Sequence, residues 1–304
     1  MKFMYGTMLT LGATIVAVIS DVDSTQPQTS AGVTNVASYG AIANDGKDDT
    51  VAVQRALAAC AGSPRRTLYF PGGRFHLSSL TFRKDVSVHL ANGTRLELEQ
   101  GEVLRVNGPF RAGLYQVFSG TGDVHFGAGA VSEILPQWWG ASAASSDSSP
   151  AINRAINSAP DLPGVNIRLS GLFHCRSTIH VNRHRVKLVG DGMYATRITF
   201  NPTSPKALFE FSHADKSVLA QCTIRDMGLL GAGNYEDRDR VQKVGIKIVD
   251  ADILEVRNIA IHNWGGNQSI GLQVQGRELV FVENITILAD LPILIDKNPG
   301  LDWI

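Results

Sequence analysis

The stretch from Val33 to Cys60, VTNVASYGAIANDGKDDTVAVQRALAAC, returns in weaker form about a hundred residues later. Trp139-Gly140-Ala141 repeats the Tyr39-Gly40-Ala41 corner, Ser145-Ser146-Asp147-Ser148-Ser149 repeats the polar loop, and Ala151-Ile152-Asn153-Arg154-Ala155-Ile156 repeats the amphipathic segment. The residues downstream of each copy match too: GGRFHLSSLTFRKDVSVHLANG from Gly72 lies beside SGLFHCRSTIHVNRHRVKLVGDG from Ser170. Such an internal repeat implies stacked units that share a continuous core.

Between Thr50 and Cys60, Val51, Val53, Ala56, Leu57 and Cys60 fall on roughly one side at helical spacing. Asp48 or Asp49 precedes this segment as a side-chain cap for its free N–H groups, a better account of two adjacent acids than a metal or catalytic pair. The pattern then changes to short strands bounded by turns: Thr67–Phe70, Phe75–Leu77, Leu80–Phe82, Val86–Leu90 and Arg95–Leu98. Strands this short, with no long helices between them, do not build a doubly wound sheet. They suit a chain that turns repeatedly in one sense.

The C-terminal third carries the clearest rungs. Ile224–Leu229, Val256–Ile261 and Val282–Ile287 align, each preceded by a matching strand: Leu208–Phe211, Gly245–Ile248 and Gly271–Val274. Apolar positions are expected to stack inside, and Asp226, Asn258 and Asn284 at one corner, where short amide-type side chains tolerate left-handed backbone. Between the first two units a charged loop, GAGNYEDRDRVQK from Gly231, is a place for function or simply a solvated loop.

With 304 residues, 44% of them hydrophobic, the chain can bury one large core or two medium ones. Its formal net charge is zero, so no broad basic field points to nucleic acid. Residues 1–20 read as a secretory signal: Lys2 is the one charge before Asp21 and Phe3 to Ile19 is apolar or small. The alternative is an uncleaved membrane anchor. Residues 21–32 read as a polar linker, 33–135 as a first cap module with short strands, and 136–304 as a second cap module leading into coils. Cys60, Cys175 and Cys222 are buried thiols or one disulfide with a thiol left over, and their spacing makes no metal site.

The order carried by Asn35, Val36, Tyr39, Gly40, Ala41, Asp45, Gly46, Asp48, Asp49, Thr50, Val53, Gln54, Pro71 and Gly72 resembles the N-terminal cap of pectate lyase-like, or polygalacturonase-like, right-handed β-helix proteins. Phage tailspike depolymerases and tandem β-helix glucanases share this cap. Pro136-Gln137-Trp138-Trp139-Gly140-Ala141 resembles the start of a second such module, and the two together cover roughly residues 33 to 200. The resemblance implies an all-β fold, a right-handed single-stranded parallel β-helix with short N-terminal cap helices. It also implies an exported protein acting on polysaccharides, either a glycoside hydrolase or a polysaccharide lyase, with no cofactor. The paired Asp-Asp, Gly-His-Gly and Arg-Ile-Lys motifs of the polygalacturonases, and the calcium-binding Asp cluster of the pectate lyases, are not found downstream of the cap. No capping helix precedes Ile304, which leads to the expectation that active coils lie beyond the residues given.

Candidate contacts come from the rungs. Alternation points Arg225, Glu255, Arg257 and Glu283 outward, and stacking would bring them within about 4.8 Å of one another as a mixed-charge strip able to bond sugar hydroxyls or carboxylates. The bland alternative is a self-neutralising surface ladder. Arg225, Glu255, Arg257 and, on the charged loop, Asp237 are the candidate substrate-binding residues; no catalytic residue is assigned. His174, His180, His184, His213 and His262 show no metal-site spacing. Trp138-Trp139 would stack on a sugar or, by analogy with Tyr39, pack in the core. The competing class is a non-catalytic glycan-binding or surface-structural solenoid, with a tailspike-like module as a third reading. The expected partner is a polysaccharide, the expected location secreted or cell-surface, and an oligomer remains open.

Overall fold

The structure, a computed structural model, describes residues 32–61, 66–160, 162–213, 218–232, 241–276 and 279–296. The signal segment, most of the linker, Asp237 with its part of the charged loop, and the residues after Asp296 lie outside the described residues.

The strands of the first half are β1 Val33–Asn35, β2 Thr67–Phe70, β3 Gly73–Leu77, β4 Leu80–Phe82, β5 Ser87–Leu90, β6 Thr94–Leu98, β7 Val103–Val106, β8 Phe110–Arg111, β9 Phe118–Gly120, β10 Asp123–Phe126 and β11 Glu133–Ile134. Those of the second half are β12 Asn166–Leu169, β13 Leu172–Cys175, β14 Ile179–Val181, β15 Lys187–Gly190, β16 Arg197–Phe200, β17 Lys206–Phe211, β18 Leu219–Ala220, β19 Thr223–Gly231, β20 Lys243–Val249, β21 Ala251–Asp252, β22 Leu254–Trp264, β23 Ile270–Gln275, β24 Val280–Ala289 and β25 Leu291–Asp296. Two α-helices, α1 Thr50–Cys60 and α2 Ser149–Asn157, interrupt them. The chain is therefore all-β with short cap helices, as expected.

Most strands pair with the strand three positions on, and the interval shortens to two at β22-β24 and β23-β25. The sheets run β2-β5-β8, β3-β6-β9 and β4-β7-β10 in the first half, and β14-β17-β20-β23-β25 and β19-β22-β24 in the second. The pairs are parallel and in register, for example Leu68 beside Val88 and then Phe110, and Phe75 beside Leu96 and then Phe118. Side chains alternate across a strand, so each inward position becomes an apolar column stepping about 4.8 Å per rung. Phe70, Phe75 and Phe82 pack together at the start of the stack. Phe110, Phe118, Phe126, Trp138 and Trp139 form a second aromatic cluster further along. Trp138 and Trp139 are buried, so the tryptophan pair serves the core.

The repeat predicted from sequence is a repeat of hydrogen bonds. Asp48 accepts the Thr50 N–H at 2.8 Å and the Ser78 hydroxyl at 2.9 Å. Asp147 accepts the Ser149 N–H at 3.0 Å and the Ser177 hydroxyl at 3.3 Å. The Tyr39 and Trp139 corners both end on a glycine in left-handed backbone, Gly40 at φ 99° and Gly140 at φ 93°. One alternative is decided in favour of Asp48, and one expectation needs correction. Asp49 does not cap α1: its oxygens accept the N–H groups of Ile42 at 2.8 Å and His76 at 3.2 Å, stapling the loop to β3, and only Asp48 caps. Val51 is also outside the buried stripe, which runs through Ala52, Val53, Ala56, Leu57 and Cys60; at about 100° per residue position 51 lies opposite position 53.

The rungs align as the sequence aligned them: Ile224 beside Val256 beside Val282, and Leu229 beside Ile261 beside Ile287. Asp226, Asn258 and Asn284 hold φ of 63°, 51° and 50° at one corner. Asn258 donates its amide N–H to Asp226 Oδ1 at 2.8 Å, and Asn284 donates to Asn258 Oδ1 at 2.8 Å. Above the corner backbone approaches so closely that a Cβ on Gly190 would lie 2.1 Å from the Asp226 carbonyl oxygen.

All three cysteines are free and buried. Burial pushes the Cys175 thiol up to about 12 and the Cys222 thiol to about 11, and raises Cys60 as well. At about pH 8, where an exposed thiol is substantially ionised, the native chain is expected to leave its cysteines unmodified by a thiol reagent; the unfolded chain should react at all of them. Asn258→Val is expected to lower stability by about 2–3 kcal/mol in a denaturant melt, because it breaks two ladder bonds and forces a β-branched residue to positive φ. Asn258→Gly, which accepts the corner, should lose less.

Candidate functional site

The outer faces present three chemically distinct surfaces. The first is the strip on β19, β22 and β24. Register places Thr223 beside Glu255, and Arg225 beside Arg257 beside Glu283. Arg257 lies 3.6 Å from Glu255 and 3.7 Å from Glu283, bridging two carboxylates. Arg225 turns back to Asp226 at 2.6 Å and so buttresses the amide corner. The structure thus brings Arg225, Glu255 and Arg257 onto one flat face. Charges on this face neutralise one another, and Asp226 is part of the corner ladder. Asp237 lies outside the described residues.

A second surface was not singled out in the sequence. Between α1 and the outer face of β4 and β7 lies a shallow hollow of about 630 Å³, lined by Gln54 and Leu57 of α1 with Thr81, Arg83, Val103 and Arg105. Thr81, Arg105 and His125 form one outward row across β4, β7 and β10. Arg83 is committed: Asp85 accepts from it at 3.0 and 2.6 Å and also from Arg66 at 2.7 Å. Arg105 makes no ion pair among the described residues, so its guanidinium faces the hollow uncompensated. Burial lowers the pKa of His125 below the ordinary histidine range; Asp123 opposes this, and Arg105 and Arg183 add to it. An apolar floor under a bare guanidinium, with threonine and glutamine beside it, suits a flat polar ligand bearing negative charge.

The third surface is acidic. Asp48, His76, Glu97, Glu99 and Glu102 line a hollow of about 180 Å³ beside β3 and β6. Most of these groups already have partners. Glu102 accepts the Ser79 hydroxyl at 2.6 Å, and Glu97 lies 3.3 Å from Arg74 and 3.6 Å from His76. Burial works to raise Asp48, but hydrogen bonds from Thr50 and Ser78 outweigh it and hold the carboxyl below its usual range. Neighbouring Asp49 is raised, burial prevailing over the Ile42 and His76 N–H groups that it accepts. It is buried and turned toward the backbone, so it presents no proton to a ligand. Glu99 is exposed and makes no ion pair among the described residues.

Among the described residues no group of three or more His, Cys, Asp or Glu side chains is arranged to hold a metal. No described helix is long and apolar enough to cross a membrane. The Arg105 hollow escaped sequence reasoning because its two walls come from residues far apart in the chain. An arginine at an outward strand position was visible, but which arginines would find acids was not.

No protein-family model matches the chain, and no curated protein matches it. Among solved structures it is similar to PfbA, a surface adhesin of Streptococcus pneumoniae, at 11% identity and a TM-score of 0.32, over 88% of this chain and 91% of that one. A superposition this loose carries no conclusion about fold or function.

Arg257→Gln is expected to change stability by less than about 1 kcal/mol in a urea melt, because its partners are exposed and solvent-screened. A loss of ligand binding in that variant would then report on the surface rather than on the fold.

Proposed function

We propose that the chain is a right-handed parallel β-helix, exported to the cell surface or medium, that binds an extended polysaccharide along its outer faces without cleaving it. Parallel strands that return three positions later need crossovers of constant hand, and such connections are right-handed in nearly all proteins. On this reading residues 1–20 direct export, and residues 33–135 and 136–304 are two cap-led modules of one stack.

The observation that carries the binding reading is the Glu255, Arg257 and Glu283 cluster, in which one guanidinium bridges two carboxylates. Hydrolysis by paired carboxylates needs one acid kept protonated and a second acid across the bond. Carboxylates held by a guanidinium on a flat, solvated face serve that role badly. They serve well as outward hydrogen-bonding groups for an extended chain of hydroxyls. Arg225, Glu255, Arg257 and Asp237 are the proposed glycan contacts, with Arg105 as an added contact for an acidic sugar. A zero net charge is in keeping with a glycan rather than a nucleic-acid partner.

The acidic hollow favours a second reading, a glycoside hydrolase or polysaccharide lyase using Glu99 with His76. Pull-down on immobilised pectin, polygalacturonate, alginate, β-glucan and capsule polysaccharide, run beside reducing-end and ultraviolet unsaturated-product assays, separates the two. The binding reading expects retention on at least one glycan without new ends. It also expects retention on an acidic glycan to weaken in Arg105→Glu and with added salt. New ends that disappear in Glu99→Gln would establish the enzyme instead, and absence of both binding and product would remove both readings.

A further inference from the structure

The loops that follow the Tyr39 and Trp139 corners pack differently. After the first corner, Asn44 is bonded to β3 in both directions. Its backbone N–H donates to the Arg74 carbonyl at 2.8 Å, and its side-chain Oδ1 accepts the Arg74 N–H at 3.0 Å. The loop is drawn in so far that a Cβ on Gly73 would lie 2.5 Å from the Ala43 Cβ. In the second copy Ala144 stands where Asn44 does and has no side chain to accept that bond. A Cβ on Gly171, which matches Gly73, would meet nothing within 4 Å. A hollow of about 470 Å³ opens there, within the range of small-ligand sites, about 300–1,000 Å³.

Three turns wall the hollow: residues 114–116 between β8 and β9, the corner over residues 137–143, and residues 170–173 at the start of β13. All three lie wholly within the described residues. None of the side chains lining it is charged, which disfavours an ionic occupant. Leu114 and Leu172 stand 66% and 50% exposed on its walls. The Tyr115 ring is held there by its hydroxyl, which donates to the Leu90 carbonyl at 2.9 Å.

The polar groups of the lining are mostly acceptors. Gln137 donates to the Ser170 carbonyl at 2.9 Å, which leaves its Oε1 buried and without a hydrogen-bond partner. Ser170 donates its hydroxyl proton to Asp191, so only its lone pairs remain for a ligand. Gln116 donates to the Phe118 carbonyl at 3.1 Å and likewise keeps its oxygen. An uncharged hollow with apolar walls and surplus acceptors suits a ligand that has many O–H donors and an apolar face. A sugar ring has both.

We propose that this hollow seats one uncharged sugar residue of a glycan. Its C–H face lies against Leu114 and Leu172, and its hydroxyls donate to Gln116, Gln137 and Ser170. The ligand class rests on the glycan-binding reading, but the site is separate from the charged face of β19, β22 and β24.

Isothermal titration calorimetry of the full chain with neutral β-glucan, mannan and galactan oligosaccharides tests this. Saturable binding of at least one is expected, insensitive to added salt because the occupant is uncharged. Ser142→Trp, which fills the hollow from an exposed position, should weaken it at least ten-fold. Gln116→Leu, which removes one acceptor, should weaken it about five-fold. Both variants are expected to melt as the parent chain does. Neutral binding undiminished in both variants would overturn the inference. So would binding confined to acidic glycans and lost in Arg105→Glu, although the glycan-binding reading would then stand. Absence of binding to any glycan, neutral or acidic, would remove both.

Discussion

Parallel stacking in strict register underlies every other feature of this molecule. A slip of one residue would turn every inward side chain outward, so something must hold the register beyond apolar burial alone. In the second half the Asp226, Asn258 and Asn284 corner does this. Left-handed backbone costs most L-residues about 1–2 kcal/mol, and Asp and Asn tolerate it best. Their side chains then bond from rung to rung at 2.8 Å. One kind of short polar side chain thus turns the chain and fixes the next rung against the last.

The two cap segments show how far a repeat can drift while its geometry persists. Asp48 and Asp147 accept equivalent bonds from the helix start and from the serine of the following strand. Asp49 and Ser148 occupy matching positions, and their backbone N–H groups reach the carbonyls of His76 and His174 at 2.8 and 2.7 Å. Asp49 then adds two side-chain bonds of its own, whereas the Ser148 hydroxyl reaches only Ser142, at 3.4 Å. The second copy lacks this staple, and the chain follows the same path without it.

Register also explains how the outer surface acquires chemical character. Columns inside are apolar; the rows outside are whatever the sequence puts at alternate positions, repeated once per rung. The Arg225, Arg257 and Glu283 row is neutralised by Asp226 and Glu255 beside it, while the Thr81, Arg105 and His125 row leaves a guanidinium bare beside α1.

Strand period, rung alignment, corner residues and the two cap segments were all legible in the sequence. They depend on local properties: alternation of side chains across a strand, tolerance of positive φ by Asn and Asp, and capping by Asp48. Ion-pair commitments were not legible, because whether Arg83 or Arg105 stays free depends on Asp85 lying beside the first and on no acid reaching the second. Nor was the role of Asp49, whose partners Ile42 and His76 are brought together only by folding. The full burial of Val256 likewise belongs to the tertiary structure, since it depends on Val282 of the next strand being stacked beside it.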